Sequence, residues 1–221
     1  MNLTTFENYM LLSVHPNSGK PMAGMFYHGL VGALLTDVHK AERLQIGNEF
    51  LVVNDTSSVD IPVVDFLLHK IGTFKEYKKI SYWIPQLATN KVFKKLMIEY
   101  MAEKKLMRID RKTFLGYPTY RFFMIDISIR KTLVHTLREN IKSEKPEYLL
   151  LGLLVSTNLD SLLTSNTLTA KQVKQACVTV QNKNIVASLV AKVIHKQKLI
   201  DLWIAIFILF WVLLIFMGAQ K

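Results

Sequence analysis

From Phe26 onward the apolar residues recur at helical spacing. Leu30, Ala33, Leu34, Val38 and Ala41 share one face, and Asp37, Lys40 and Glu42 the other. Leu44–Val53 alternates loosely around Gly47-Asn48, which predicts a short hairpin. Val63, Val64, Leu67, Leu68 and Ile71 mark a second helix, with Asp60 as its expected N-cap and Gly72 as its close. Val92, Phe93, Leu96, Met97, Tyr100 and Met101 define a third over Val92–Lys104. Leu106–Ile109 and Tyr117–Met124 read as strands flanking turn residues Arg111–Pro118. A helix through Ile129, Leu133, Val134, Leu137 and Ile141 follows, and then a polar break at 143–147. Beyond it come the apolar Tyr148–Val155 and two expected helices, Ala170–Thr179 and Ile185–His195. No internal repeat or low-complexity tract interrupts the series. The pattern predicts a mainly α single helical-bundle domain with one or two β-hairpins.

The C-terminus adds a different element. Leu202 to Met217 is sixteen apolar residues without a break, and Gly218 and Ala219 extend the uncharged run to eighteen. At ~1.5 Å per residue this is roughly 27 Å of helix, just short of a ~30 Å hydrocarbon core. Two readings are open: a transmembrane helix, or a core helix apolar on all sides. The first is adopted because a helix so uniformly apolar needs protein all around it, and this one ends a modest domain. Residues 199–221 are therefore expected to be a membrane anchor, with Leu202, Trp203, Phe207, Phe210, Trp211 and Phe216 in the bilayer. Lys192, Lys196 and Lys198 precede the run and only Lys221 follows it, so the positive-inside bias puts residues 1–198 in the cytoplasm. Met1–Tyr9 has neither the basic start nor the apolar core of a signal peptide.

Composition narrows the function class. Half of the 221 residues are hydrophobic, which excludes an intrinsically disordered chain. Lys and Arg outnumber Asp and Glu 28 to 17, a formal charge of +11 that points to phospholipid surfaces or nucleic acid. A single cysteine, Cys177, excludes an internal disulfide and any Cys-rich metal site. No phosphate-binding loop, nucleophile elbow, zinc-protease helix or dinucleotide fingerprint occurs. Asp65 and His69 stand four apart on one helix, but without a third ligand they read as a surface hydrogen bond or ion pair. His15, before Pro16-Asn17-Ser18-Gly19, belongs to a turn, and Cys177 reads as buried and inert. The expectation is that the chain is not an enzyme and holds no metal.

The order of local patterns carries a resemblance. Tyr9–Val14 (YMLLSV) is like an L-L-x-L opening. Gly29-Leu30-Val31-Gly32-Ala33-Leu34-Leu35 and Lys40–Leu44 are like a G-L-x-G-x-x-L-x-E-L helix and its exit into a strand. Asp65-Phe66-Leu67-Leu68, Trp83–Leu87 and Tyr100–Met107 follow in the expected sequence. From about Tyr9 to Gln197 the series resembles the Golgi phosphoprotein 3 family, or GPP34 domain. That resemblance implies a helical bundle with a hairpin able to mediate self-association or membrane contact. It implies a membrane adaptor without a cofactor, because eukaryotic members bind phosphatidylinositol 4-phosphate and retain glycosyltransferases by their cytosolic tails. In the lipid-binding members a Trp lies seven residues before the first Gly of G-L-x-G and an Arg fills the x; here Met22 and Val31 stand there. The remaining basic contribution falls to Arg130, Lys131, His135 and Arg138, as a headgroup site or as a solvated helix face.

The expected partners are an anionic phospholipid or phosphoinositide surface and an unidentified membrane-protein client. A second copy of the chain, bound through the 106–124 hairpin, is a further candidate, though Tyr117–Phe123 reads equally as a core strand. The competing reading is a membrane-tethered nucleic-acid regulator. The basic helix Lys91–Lys105 and a hairpin carrying Arg108, Arg111, Lys112 and Arg121 resemble a winged helix. Glu99 and Glu103 on that helix count against it.

Overall fold

The computed structural model describes residues 3–22, 24–114, 117–143 and 148–218, with side chains described as far as Val212. Among them the chain forms nine α-helices, one 3-10 turn and two separate antiparallel hairpins. The helices are α1 (Thr5–Ser13), α2 (Phe26–Lys40), α3 (Pro62–Gly72), α4 (Ile80–Thr89) and α5 (Lys91–Glu103), then α6 (Ile127–Lys142), α7 (Leu149–Ser156), α8 (Ala170–Lys183) and α9 (Ile185–Gly218). Strands β1 (Leu44–Gly47) and β2 (Phe50–Val53) make the first hairpin, and β3 (Met107–Phe114) and β4 (Tyr117–Met124) the second.

Helix α1 lies in the middle of the bundle, with Phe6, Tyr9, Met10, Leu11 and Leu12 all buried. A helix so largely buried leaves its orphan N–H groups few water partners, and side chains supply them instead. Thr4 and Glu7 form a reciprocal capping box. Asp37 of α2 adds a carboxylate that accepts from Thr5 N at 2.9 Å and Phe6 N at 2.8 Å. The second oxygen of Glu7 accepts from Tyr100 Oη of α5 at 2.9 Å. Burial, and then the hydrogen bond to Glu7, push the Tyr100 phenol well above its ordinary value and keep it a donor.

The Gly29-Leu30-Val31-Gly32 segment of α2 is a packing device. A Cβ at Gly29 would lie 2.0 Å from Tyr9 Oη, and one at Gly32 would lie 2.5 Å from Val190 Cγ2 of α9. The two glycines let α2 approach α1 on one side and α9 on the other. Val31 between them is fully buried.

The second hairpin is joined to the body by Gly19, at φ +64°, whose carbonyl accepts from Phe122 N at 2.8 Å. Phe122 is buried against Phe26, with ring centroids 5.7 Å apart. At Phe122 strand β4 is therefore core.

Several boundaries differ from the sequence expectations. Asp60 does not cap α3: it takes a left-handed φ of +58°, Ile61 is the N-cap and Pro62 fills the first helical position. Asp65 accepts from Ser58 Oγ at 2.6 Å and Val59 N at 2.8 Å, fixing the loop before the helix. The turn of the first hairpin is Asn48-Glu49, both at positive φ. Arg111–Phe114 continues β3 where a turn was expected, since its residues stay paired with β4. Helix α9 runs unbroken from Ile185 to Gly218, so the expected boundary at 198/199 falls inside one helix.

Alanine at Gly32 would ordinarily favour a helix by about 1 kcal/mol. Here the overlap with Val190 outweighs that gain, and a net loss of about 1–3 kcal/mol in urea unfolding is expected. In a Val190→Ala background the same substitution should cost less than half as much. Gly24→Ala, whose Cβ would meet nothing within 4 Å, should be neutral.

Candidate functional site

Helix α6 begins at Asp126, whose carboxylate accepts from Ser128 N at 2.8 Å, and buries Leu133, Leu137 and Ile141. The four basic residues expected to meet a headgroup all lie on it, but they divide into two kinds. Arg130 turns inward: its Nε donates to Leu11 O at 3.2 Å and its Nη2 to Leu12 O at 3.5 Å. It thereby caps the buried C-terminal end of α1, and burial lowers its pKa without removing the charge. Arg138 donates to the carbonyls of Leu163 at 3.1 Å, Leu162 at 3.3 Å and Thr164 at 2.7 Å, closing the 3-10 turn Asp160–Leu163. Lys131 and His135, one turn apart, are exposed.

Of the positions singled out by the family pattern, two come together. Arg130 Nη2 lies 4.0 Å from Met22 Sδ, and Met22 is exposed at the surface. Val31 is in the core, so nothing at that position reaches them.

Helix α9 presents the largest unpartnered surface. Its first three turns bury Val186, Ala187, Leu189, Val190, Val193 and Ile194. From Leu199 to Val212 the large apolar side chains are exposed on every side of the helix, Trp203 at 69% and Phe207 at 62% among them. Phe207 and Trp211 stack edge to face at 6.1 Å and touch no other element. Phe216 lies outside the described side chains. Among the described residues no helix is long and apolar enough to cross a membrane. The transmembrane anchor expected over residues 199–221 is therefore not supported by the described helix.

An ion-pair junction that sequence reading missed stands where α9 leaves the body. Glu49, at the β1–β2 turn, accepts from Lys192 Nζ at 3.2 Å and Lys79 Nζ at 3.5 Å. The Lys192 hydrogen bond, then its charge, hold the Glu49 carboxyl below its ordinary value. Lys79 and Lys192 are 30 and 143 positions from Glu49, so no local pattern could have shown the junction.

The other candidates carry less chemistry. No group of three or more His, Cys, Asp or Glu residues able to hold a metal occurs among the described residues. Asp65 is engaged with Ser58 and Val59 as given above, and His15 Nδ1 accepts from Asn17 N and Ser18 N inside its turn. On α5, Lys95 pairs with Glu99 at 3.5 Å and Lys94 lies 4.5 Å over the Tyr27 ring. The outer face of that helix is thus of mixed sign rather than a continuous basic strip.

A family model described as Golgi phosphoprotein 3 (GPP34) matches residues 6–197. Comparison with curated proteins finds no match.

Replacing Arg138 by Ala leaves three carbonyls without their charged donor, and a loss of about 2–4 kcal/mol in chemical unfolding is expected. Lys131→Ala and His135→Ala should stay within ~0.5 kcal/mol. Cys177 is fully buried, and burial pushes its thiol up to about 12. The native chain should therefore resist thiol reagents at neutral pH, and the denatured chain should take up one equivalent, as mass spectrometry would record.

Proposed function

Because the chain belongs to the Golgi phosphoprotein 3 (GPP34) family, we propose that it is a membrane-associated, non-enzymatic adaptor that binds anionic lipid and recruits or retains other membrane proteins. The observation that carries the membrane part of this reading is the distal half of α9. Leu199 to Val212 exposes apolar side chains all around a helix that no other element covers. A patch of more than a few hundred Å² of such surface does not stay bare in water, whereas hydrocarbon accepts it without cost. The segment from Leu202 onward enters the bilayer as an anchor, and the bundle stays on the cytoplasmic face with Lys196 and Lys198 toward the lipid phosphates.

The anchor changes what the headgroup site must do. A peripheral protein needs a headgroup to find its membrane, while an inserted helix is already held there. With Met22 and Val31 in place of Trp and Arg, and two of the four α6 cations engaged with carbonyls, lipid recognition rests on surface charge. Lys131 contributes to that charge, and each lysine near an anionic surface adds about 1 kcal/mol. Client selection and self-association through the β3–β4 hairpin belong to the same reading. Its outer residues Arg108, Arg111 and Lys112 are exposed and available for either role.

Vesicle flotation tests the proposal. The full chain should float with neutral, phosphatidylserine and phosphatidylinositol 4-phosphate vesicles alike and resist high salt. Residues 1–198 should float only with the anionic vesicles and be lost as salt rises. Salt-resistant flotation of the truncated chain with neutral vesicles would remove the role given to α9. A marked preference for the phosphoinositide would instead restore a specific pocket at Arg130 and Met22.

A further inference from the structure

Between α3 and α4 the chain reads Thr73-Phe74-Lys75-Glu76-Tyr77-Lys78-Lys79, aromatic and basic residues alternating outside any helix. Tyr77 is 72% exposed, and Phe74 and Tyr82 are also on the surface. The rings form a cluster: Phe74 lies 5.9 Å from Tyr82 and 5.2 Å from Trp83, which is buried. Lys78 Nζ sits 5.8 Å above the Tyr82 ring and pairs with the Glu76 carboxylate at 2.5 Å, which leaves Lys75 as the loop's outward charge. The backbone is held as well, with Leu51 N donating to Lys78 O at 3.2 Å and Ile80 N to Glu49 O at 2.8 Å. The loop roofs a cavity of about 250 Å³ over β2, so its aromatic rings are not all absorbed by the core.

Its position gives the cluster a meaning. Lys79 and Lys192 share Glu49, and Lys192 directly precedes Val193 and Ile194, the last buried residues of α9. The loop therefore stands at the rim from which α9 leaves the body. Leu202, where the inserted segment begins, follows Lys192 by ten positions, about 15 Å of helix. The headgroup layer is itself about 5–8 Å deep, and charges act over a Debye length of about 8–10 Å. A tilted anchor brings the rim closer still.

We propose that the α3–α4 loop is a second membrane contact, with Tyr77 and Phe74 seated among the headgroups of an anionic phospholipid surface and Lys75 on its phosphates. Aromatic rings with a polar edge beside lysines match that interface, where one end of the side chain is apolar and the other wet. Lys79 stays on Glu49 and ties the loop to α9. Two contacts at one rim fix the rotation of the bundle about the anchor, which a single helix leaves free. This inference rests on the membrane reading given above.

The test uses the full chain in phosphatidylcholine vesicles with or without phosphatidylserine. An environment-sensitive fluorophore is placed at Tyr77→Cys, or, as control, at Lys183→Cys beside the N-terminal end of α9. Cys177 is buried and does not compete for the label. Quenching by lipids carrying a headgroup nitroxide should be about fivefold stronger at position 77 than at 183 on anionic vesicles, the effect of roughly one lysine. It should fall with salt, and to the level of position 183 in Lys75→Gln. Flotation of the chain with position 77 quenched no more than 183 would overturn the loop contact and leave the anchor standing. Failure to float with any vesicle would overturn the membrane reading itself, and the loop contact with it.

Discussion

Everything in the bundle is arranged around a short helix that is almost wholly buried. Helix α1 is only nine residues long, and eight of them are buried. A helix of that length is not stable alone, and its orphan N–H and C=O groups would each cost on the order of 1–3 kcal/mol if left unpaired. Its N-terminus is met by Thr4, Glu7 and Asp37, and its C-terminus by Arg130. Thr4 and Glu7 are its own, Asp37 comes from α2 and Arg130 from α6, and Tyr100 of α5 closes the arrangement through Glu7. Four elements are thus set in register by the demand that one helix be satisfied at both ends.

The same demand explains how the basic residues are distributed. Guanidinium groups offer planar arrays of donors that reach several carbonyls at once, so arginines serve best where helix ends are buried. Arg130 and Arg138 are used in this way. The lysines, with a compact and strongly hydrated charge, are left on the outside, where they can face a lipid surface. A basic chain therefore carries two populations of positive charge, one structural and one available.

Helix α9 joins these two levels. Its first half belongs to the core and is held against α2 by the close approach at Gly32. Its second half shares no core with anything, yet it is the same rigid rod. The Glu49 junction, with Lys192 on one side and Lys79 on the other, extends that rigidity to the first hairpin and the α3–α4 loop.

Much of this could be read from the chain, because it depends on local spacing. The apolar period of α2, α3, α5 and α6, the first hairpin around Asn48, the buried Cys177 and the apolar C-terminal run are all properties of neighbouring residues. The family pattern, too, is a series of local segments. What spacing could not give was the partner of each charge. Arg130 and Leu11 are 119 residues apart, and Lys192 and Glu49 are 143 apart. A basic residue on a helix surface looks the same in sequence whether it meets water, phosphate or a buried carbonyl. Periodicity assigns a face, but only packing of distant elements decides what that face meets. So the sequence alone determined the helices, the greasy tail and the excess of positive charge, while the tertiary structure decided which of those charges are already spoken for.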